Sequence, residues 1–438
     1  MADHEPVRFA VAGLGGYAAY VTERLLDQSG RHPAARLVAV CDPEVVQFPK
    51  RVQELAARGI PTLQSCEQLF ELDIEAIWLP VPIDLHRPFT EAALSAGKAV
   101  LCEKPAAATV DDIDAMIAAR DRSGLPVLVG FQDLYQPNVS LLKQRLLNGE
   151  FGRPICATVM GCWPRGDAYF KRNEWAGRLM RNGRWVLDSP AANALAHFLH
   201  LALYLLGSEI QEAASPESVS AELYRANDIE NYDTCSLRLA LPGDVPLYVA
   251  YTHACSETVE PMVTIETERA VIRYLAYRSI EIRMNDGTRQ RLVLSDKPHA
   301  QMLQTFQRAL RERGSRSAGA TLEMSRAHVV AVNVASEAGP VVDVPPQHVQ
   351  HIHDSEDNVV RTIDQIVAAV KASAERKCML HETGMLPWAR VAHTKAVGDY
   401  AHFGGPWQSK SAAQRLTPAS EVHVDPPSAP LRRAAAVK

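Results

Sequence analysis

VRFAVAGLGGYA, residues 7–18, decides the fold. Its first half, Val7–Ala12, is an apolar, β-rich run of the kind buried on both faces of a parallel sheet. Its second half, Gly13-Leu14-Gly15-Gly16-Tyr17-Ala18, has the pattern G-x-G-x-x-A and opens a helix-like segment, Tyr17–Gln28. In that context Gly13 permits a tight turn, Gly15 lets backbone approach a pyrophosphate, and Ala18 packs helix on strand. Gly16 completes the loop, and the first amides of the helix face the phosphates. The next β-rich run, Arg36–Cys41, ends at Asp42, near the spacing of an acid that binds a ribose 2′-hydroxyl. A carboxylate there repels a 2′-phosphate, and Pro43-Glu44 supplies no arginine, so the expected dinucleotide is NAD, with NADP less favoured.

Working outward, strand-like runs at Glu75–Leu79, Ala99–Cys102 and Pro126–Val129 alternate with helix-like Phe48–Arg58, Cys66–Glu71, Arg87–Ala96 and Val110–Arg122. Alternation of this kind predicts an α/β doubly wound parallel sheet over residues 1–131. Thr109 with Asp112 resembles a capping box, and Gly97 and Gly124 stand where helices should stop. After Phe131 the rhythm changes. A helix (Tyr135–Asn148), a strand (Ile155–Met160), an aromatic-rich loop and a long apolar helix (Ala191–Leu206) precede seven short strands between Val219 and Leu294. These predict a second, α+β domain over residues 132–395 with a large open, mostly antiparallel sheet. Helices are expected again at Gln301–Arg313, Leu322–Glu337 and Asn358–Arg376, with His351-Ile-His353-Asp354 as a polar loop. Residues 396–438, rich in Pro and Ala towards their end, read as a partly disordered tail.

Composition narrows the function classes. The 438 residues are 47% hydrophobic and 22% charged, which suits globular domains and excludes a disordered chain. Lys plus Arg is 46 against 51 Asp plus Glu, so a net charge of -5 argues against nucleic acid or an anionic membrane as main partner. No run approaches the ~20 apolar residues of a membrane span, and the start lacks a signal-peptide pattern. The eight cysteines include no Cys-x-x-Cys pair and read as reduced core thiols, so a cytoplasmic place is expected. No metal site is expected, because His197 and His200 lack a third ligand in register.

Three further stretches carry a resemblance. These are Ala96-Gly97-Lys98-Ala99-Val100-Leu101-Cys102-Glu103-Lys104-Pro105, the pair Val81-Pro82 with His86, and the run from Asp188 through Asn193, His197 and His200 to Gly207. Together with the glycine loop and Thr321–His328, they resemble the Gfo/Idh/MocA family of sugar and inositol oxidoreductases, over about residues 1–390. The resemblance implies a Rossmann domain that binds NAD(P) and a sheet domain for substrate contacts and subunit interfaces. It implies reversible hydride transfer between a sugar-like carbinol carbon and nicotinamide C4. On this reading Lys104 binds the reacting oxygen and His197 takes its proton, as alcohol oxidation requires a cation and a base. Glu103 bonds the nicotinamide ribose, while Pro82 and His86 shape the nicotinamide pocket.

The sequence departs from the family pattern at Asn193, where an Asp is usual one turn before the histidine. An amide accepts no proton at neutral pH but orients a neighbour, with Asp188 nearby as an alternative carboxylate. The usual acid at His200 is missing, and the family's Arg-rich turn after its sixth strand reads here Gly130-Phe131-Gln132-Asp133-Leu134-Tyr135. Arg165, Tyr169 and Asn173, in the loop before the His helix, are the expected contacts to a carbohydrate or polyol. A homo-oligomer, dimer or tetramer, is expected, because an open sheet face needs cover. Two rivals stand beside the dehydrogenase: an NAD-retaining glycoside hydrolase or lyase working by transient oxidation, and a catalytically silent NAD-binding regulator.

Overall fold

The computed structural model describes residues 5–27, 33–312, 319–355 and 358–407. Six parallel strands form the first sheet: β1 (Val7–Ala12), β2 (Ala35–Cys41), β3 (Thr62–Leu63), β4 (Ala76–Leu79), β5 (Ala99–Cys102) and β6 (Val127–Val129). Their order is β3-β2-β1-β4-β5-β6, the doubly wound order expected, with one short strand (β3) that the sequence reading missed. All four residues of β4 and of β5 are buried, as continuous apolar strands must be when both faces are covered. The intervening helices are α1 (Gly16–Leu26), α2 (Pro49–Ala57), α3 (Cys66–Phe70), α4 (His86–Ser95) and α5 (Val110–Ser123). Thr109 caps α5 by accepting from the Asp112 amide, and Gly124 ends it in the left-handed conformation. Strand order reverses between β1 and β4, so the crevice at their carboxyl ends is the topological switch point where α/β sheets bind ligands.

After α6 (Pro137–Leu147), β7 (Pro154–Cys162) enters the second sheet. A short helix α7 (Asp167–Phe170), a two-stranded ribbon of β8 (Met180–Arg181) and β9 (Arg184–Trp185), and helix α8 (Ala196–Leu206) follow. All seven strands expected between Val219 and Leu294 form: β10 (Ser218–Arg225), β11 (Thr234–Leu241), β12 (Val245–Thr252), β13 (Val259–Thr267), β14 (Ala270–Leu275), β15 (Ser279–Met284) and β16 (Arg289–Val293). They do not pair in one unbroken run. β7 inserts between β12 and β13, parallel to the first and antiparallel to the second. Being central, it is buried along most of its length.

Helices α9 (Pro298–Arg311) and α10 (Leu322–Ala338) lie where expected, and then the sequence reading fails locally. β17 (Val341–Asp343) joins the sheet edge beside β10, and the presumed polar loop is β18 (Val349–Ser355). The expected helix from Asn358 begins instead as β19 (Asn358–Ile363) and turns helical only at α11 (Ile366–Arg376). The run Asn358–Ile363 is β-branched enough to pair with β18, and that hairpin outweighs its helical pattern. Finally β20 (His393–Ala396) pairs with β10, and the chain stays packed to Trp407, with Phe403 buried. The rest of the expected tail lies outside the described residues.

Side-chain alternation tells which face each helix covers. Val249 packs in the main core with α8, whereas its neighbour Ala250 packs with Ile366, Ala369 and Val370 of α11. The outer face of the sheet, expected to need a partner subunit, is therefore partly covered by the chain's own helix. All eight cysteines are free. Among the described residues no helix is long and apolar enough to cross a membrane.

Candidate active site

The glycine loop forms as its sequence requires. Gly13 has φ +115°, and a Cβ there would stand 2.8 Å from that of Ala18, so neither conformation nor space admits a side chain. Gly15 precedes α1 without a side-chain cap, so the first amides of the helix are left for an anion. Gly16 opens the helix at φ +51°. Asp42, at the end of β2, is fixed by two amides: Leu14 N donates to Oδ2 at 2.8 Å and Glu44 N to Oδ1 at 2.9 Å. It thereby pins the loop and stands on the rim of a cleft of about 770 Å³. Gly13, Gly15, Asp42 and Pro82 line the cleft, together with Arg172 and Trp175 from the loop before α8 and Arg181 of β8. The glycine cradle, the uncapped helix and the acid fit a dinucleotide.

At the end of β5, Glu103 is buried, with Trp78 Nε1 donating to Oε1 at 3.0 Å and its own neighbour's amide, Lys104 N, to Oε2 at 3.3 Å. Burial pushes its carboxyl up, to about 7, against the pull of these donors and of Lys104. Gly130 leaves the room it needs, since a Cβ there would meet the carboxylate at 2.7 Å. Lys104 reaches across to the turn before α8. Its Nζ donates to both oxygens of Asn193, the carbonyl at 2.8 Å and Oδ1 at 2.9 Å. Burial lowers the Lys104 ammonium to about 8, against the opposing pull of Glu103 and Asp188.

That double contact has a local cause. The long helix expected from Ala191 is broken: Pro190–Ala194 form a wide π-type turn, and α8 starts only at Ala196. Ser189 caps the turn by accepting from Ala192 N, and His328 of α10 holds the Ala191 carbonyl at 2.9 Å. Wide turns of this kind concentrate at functional sites. Asn193 Nδ2 in turn donates to Asp188 Oδ1 at 2.7 Å, and the other Asp188 oxygen accepts from Gly177 N. Lys104, Asn193 and Asp188 thus form one chain of hydrogen bonds. His197 follows one turn later, buried, and burial holds its imidazole below the usual range and hence neutral at pH 7.

Other expected residues sit differently. His86 is buried and turned to backbone, Nδ1 to the Pro105 carbonyl at 2.9 Å and Nε2 to that of Val81 at 3.0 Å. It braces the Lys104-Pro105 turn and does not line the cleft, whereas Pro82 does. Tyr169 lies beneath two guanidinium groups, Arg172 at 3.6 Å and Arg165 at 4.7 Å from its ring centre. Asn173 spends Oδ1 on the amides of Trp175 and Ala176 and faces the dinucleotide cleft. His200 lies flat on Phe131, with ring centres 3.8 Å apart.

Sequence reasoning missed two residues. Arg172, exposed in the cleft wall, makes no ion pair among the described residues, and the aromatic density of its segment was the available signal. Asp133 is buried, with one oxygen 3.2 Å from His197 Nδ1. Its place in the altered turn after β6 was visible, but not what it would face. A second cavity, of about 390 Å³, opens beside it, lined by Tyr20, Gln132, Tyr277 and His299.

Fold and site define a dinucleotide-type Rossmann protein with a lysine and a histidine brought together at the carboxyl edge of its sheet. Residues 7–131 match the Gfo/Idh/MocA oxidoreductase family, described by its NAD-binding Rossmann fold. It is 29% identical over 265 residues to D-apiose dehydrogenase of Paraburkholderia graminis, covering 58% of this chain and 65% of that protein. It is 30% identical over 172 residues to inositol 2-dehydrogenase of Rhodococcus erythropolis, covering 38% and 47%. The chain therefore spans less than two thirds of the length of these curated relatives. The fold is also that of WlbA dehydrogenase from Bordetella pertussis, solved with NADH and UDP-GlcNAcA, at a TM-score of 0.61 and 22% identity over 76% of this chain and 95% of that one.

Proposed function

We propose that the chain is an oxidoreductase that transfers a hydride between NAD(H) and a hydroxyl or keto carbon of a sugar, inositol or related polyol. The observation that carries this reading is the meeting of the Lys104 ammonium with Asn193 one helical turn before a neutral, buried His197, beside a cleft built for a dinucleotide. NAD, when bound, supplies the hydride acceptor. Asp42 holds its adenosine ribose, the glycine loop its pyrophosphate, and Glu103 its second ribose. Pro82 limits the space for the nicotinamide, and His86 keeps the turn carrying Lys104 in place.

Lys104 binds the reacting oxygen and stabilises its developing charge, and His197 holds the proton at Nε2. Asn193 aims the ammonium, and Asp188 aims Asn193. The similarity to the apiose and inositol dehydrogenases supports a polyol substrate, with Arg165, Tyr169 and Asn173 as its outer contacts. A cytoplasmic homo-oligomer belongs to the same reading: strands β14–β16 lie beyond the cover of α11, and Val293 is 67% exposed there.

Incubating the protein with NAD and a panel of polyols tests the proposal through the appearance of NADH. Copurified cofactor with release of an aryl aglycone and no net NADH would favour the hydrolase or lyase, and binding without any turnover the regulator. Cofactor choice gives a second expected result. Asp42→Ala should weaken NADH binding by about 10-fold and narrow the preference for NADH over NADPH, because it removes both the ribose acceptor and the brace of the loop. Titration of cofactor fluorescence checks it, and an unchanged preference would contradict the assignment of Asp42.

A further inference from the structure

We propose that Asp133 is the carboxylate partner of His197, supplied from the turn after β6 in place of the acid that Asn193 does not provide. The inference rests on the reading of His197 as proton acceptor and adds how the imidazole is held and charged. The turn is fixed to α8 by Phe131, which is 1% exposed, stacked on His200, and set edge-on to His197 and His328 at 5.7 Å each. Asp133 follows two residues later and points at α8.

Its Oδ1 accepts a hydrogen bond from Tyr274 Oη of β14. Its Oδ2 and His197 Nδ1 face each other at 3.2 Å, within ion-pair reach but short of hydrogen-bond alignment. Both atoms are buried and neither has another partner. Two such groups satisfy each other if the imidazole carries its proton on Nδ1, since a carboxylate only accepts. Nε2 then keeps a lone pair. In the reaction Nε2 takes the proton of the substrate hydroxyl as the carbinol hydride leaves for NAD. The O–H bond breaks, an N–H bond forms, and the Asp133 side chain faces the imidazolium.

Among the described residues no other carboxylate is placed to do this work. Asp188 is occupied by Gly177 N and Asn193 Nδ2. The remaining titratable groups around His197 are Lys104, whose charge opposes an imidazolium, and His200, His299 and His328, all held towards neutrality by burial. Asp133 is thus the group that raises the basicity of His197 against burial and Lys104.

Two measurements decide it. In the unmodified protein labelled with ring-15N histidine, His197 should carry its proton on Nδ1, and a spectrum with the proton on Nε2 would overturn the proposal. In Asp133→Asn, which keeps the size and an acceptor for Tyr274, turnover should fall by about 10-fold or more. The rising limb of its pH profile should move to lower pH, because the imidazolium has lost its counter-charge. A merely structural role would lower the melting temperature and the rate but leave that limb in place, and such a result would also overturn the proposal. The parent reading fails separately: if His197→Ala keeps its turnover, His197 is not the base, while the labelled spectrum still reports whether Asp133 holds it.

Discussion

Lys104→Ala is expected to reduce turnover by about 100-fold or more while leaving NADH affinity nearly unchanged. The lysine stands at the end of β5 with its ammonium on both oxygens of Asn193, away from the glycine loop that would hold the pyrophosphate. Its loss therefore removes the cation for the reacting oxygen and leaves the cradle intact. The pH profile gives the sign. Burial lowers the ammonium to about 8, so the charged form prevails below that pH and is lost above it. Activity should fall as pH rises through about 8, and Lys104→Arg, which stays charged, should remove that falling limb even if its rate is low. A falling limb that survives in Lys104→Arg would assign it to another group.

His197→Ala is expected to have an effect of similar size, about 100-fold or more, from the opposite limb. Burial keeps the imidazole neutral at pH 7, the form that accepts a proton, and activity should rise with pH through the lowered imidazole value. The alanine variant should lose that rising limb. Small exogenous imidazoles should restore part of the rate, since the truncation leaves a ring-sized space. Full activity without His197 would show that the proton leaves by another route.

How far these sites were legible in the sequence depended on range. The glycine loop, Asp42 and the Glu103-Lys104-Pro105 turn are local constructions: strand, turn and first helical residues fix their geometry, so spacing sufficed to place them. His197 needed the family resemblance, because a histidine on an apolar helix is more often plain core. The break at Pro190–Ala194 was concealed by a continuous apolar run, and it is what turns both oxygens of Asn193 to Lys104. Asp133 meets His197 across 64 residues of chain through a packing of Phe131 on His200, which no periodicity encodes. The hairpin of β18 and β19 was misread for a related reason. Whether Asn358–Ile363 is strand or helix depends on the partner that folds back on it.

Hydride transfer from a polyol carbon at the Lys104–His197 site leaves an isotopic trace. Deuterium placed on the carbinol carbon of the polyol that turns over tests it most directly. The label should appear on nicotinamide C4 of the NADH released, and neither Lys104→Ala nor His197→Ala should form labelled NADH at a comparable rate. Label that stays in the product or washes into water, with no deuterated NADH, would contradict it.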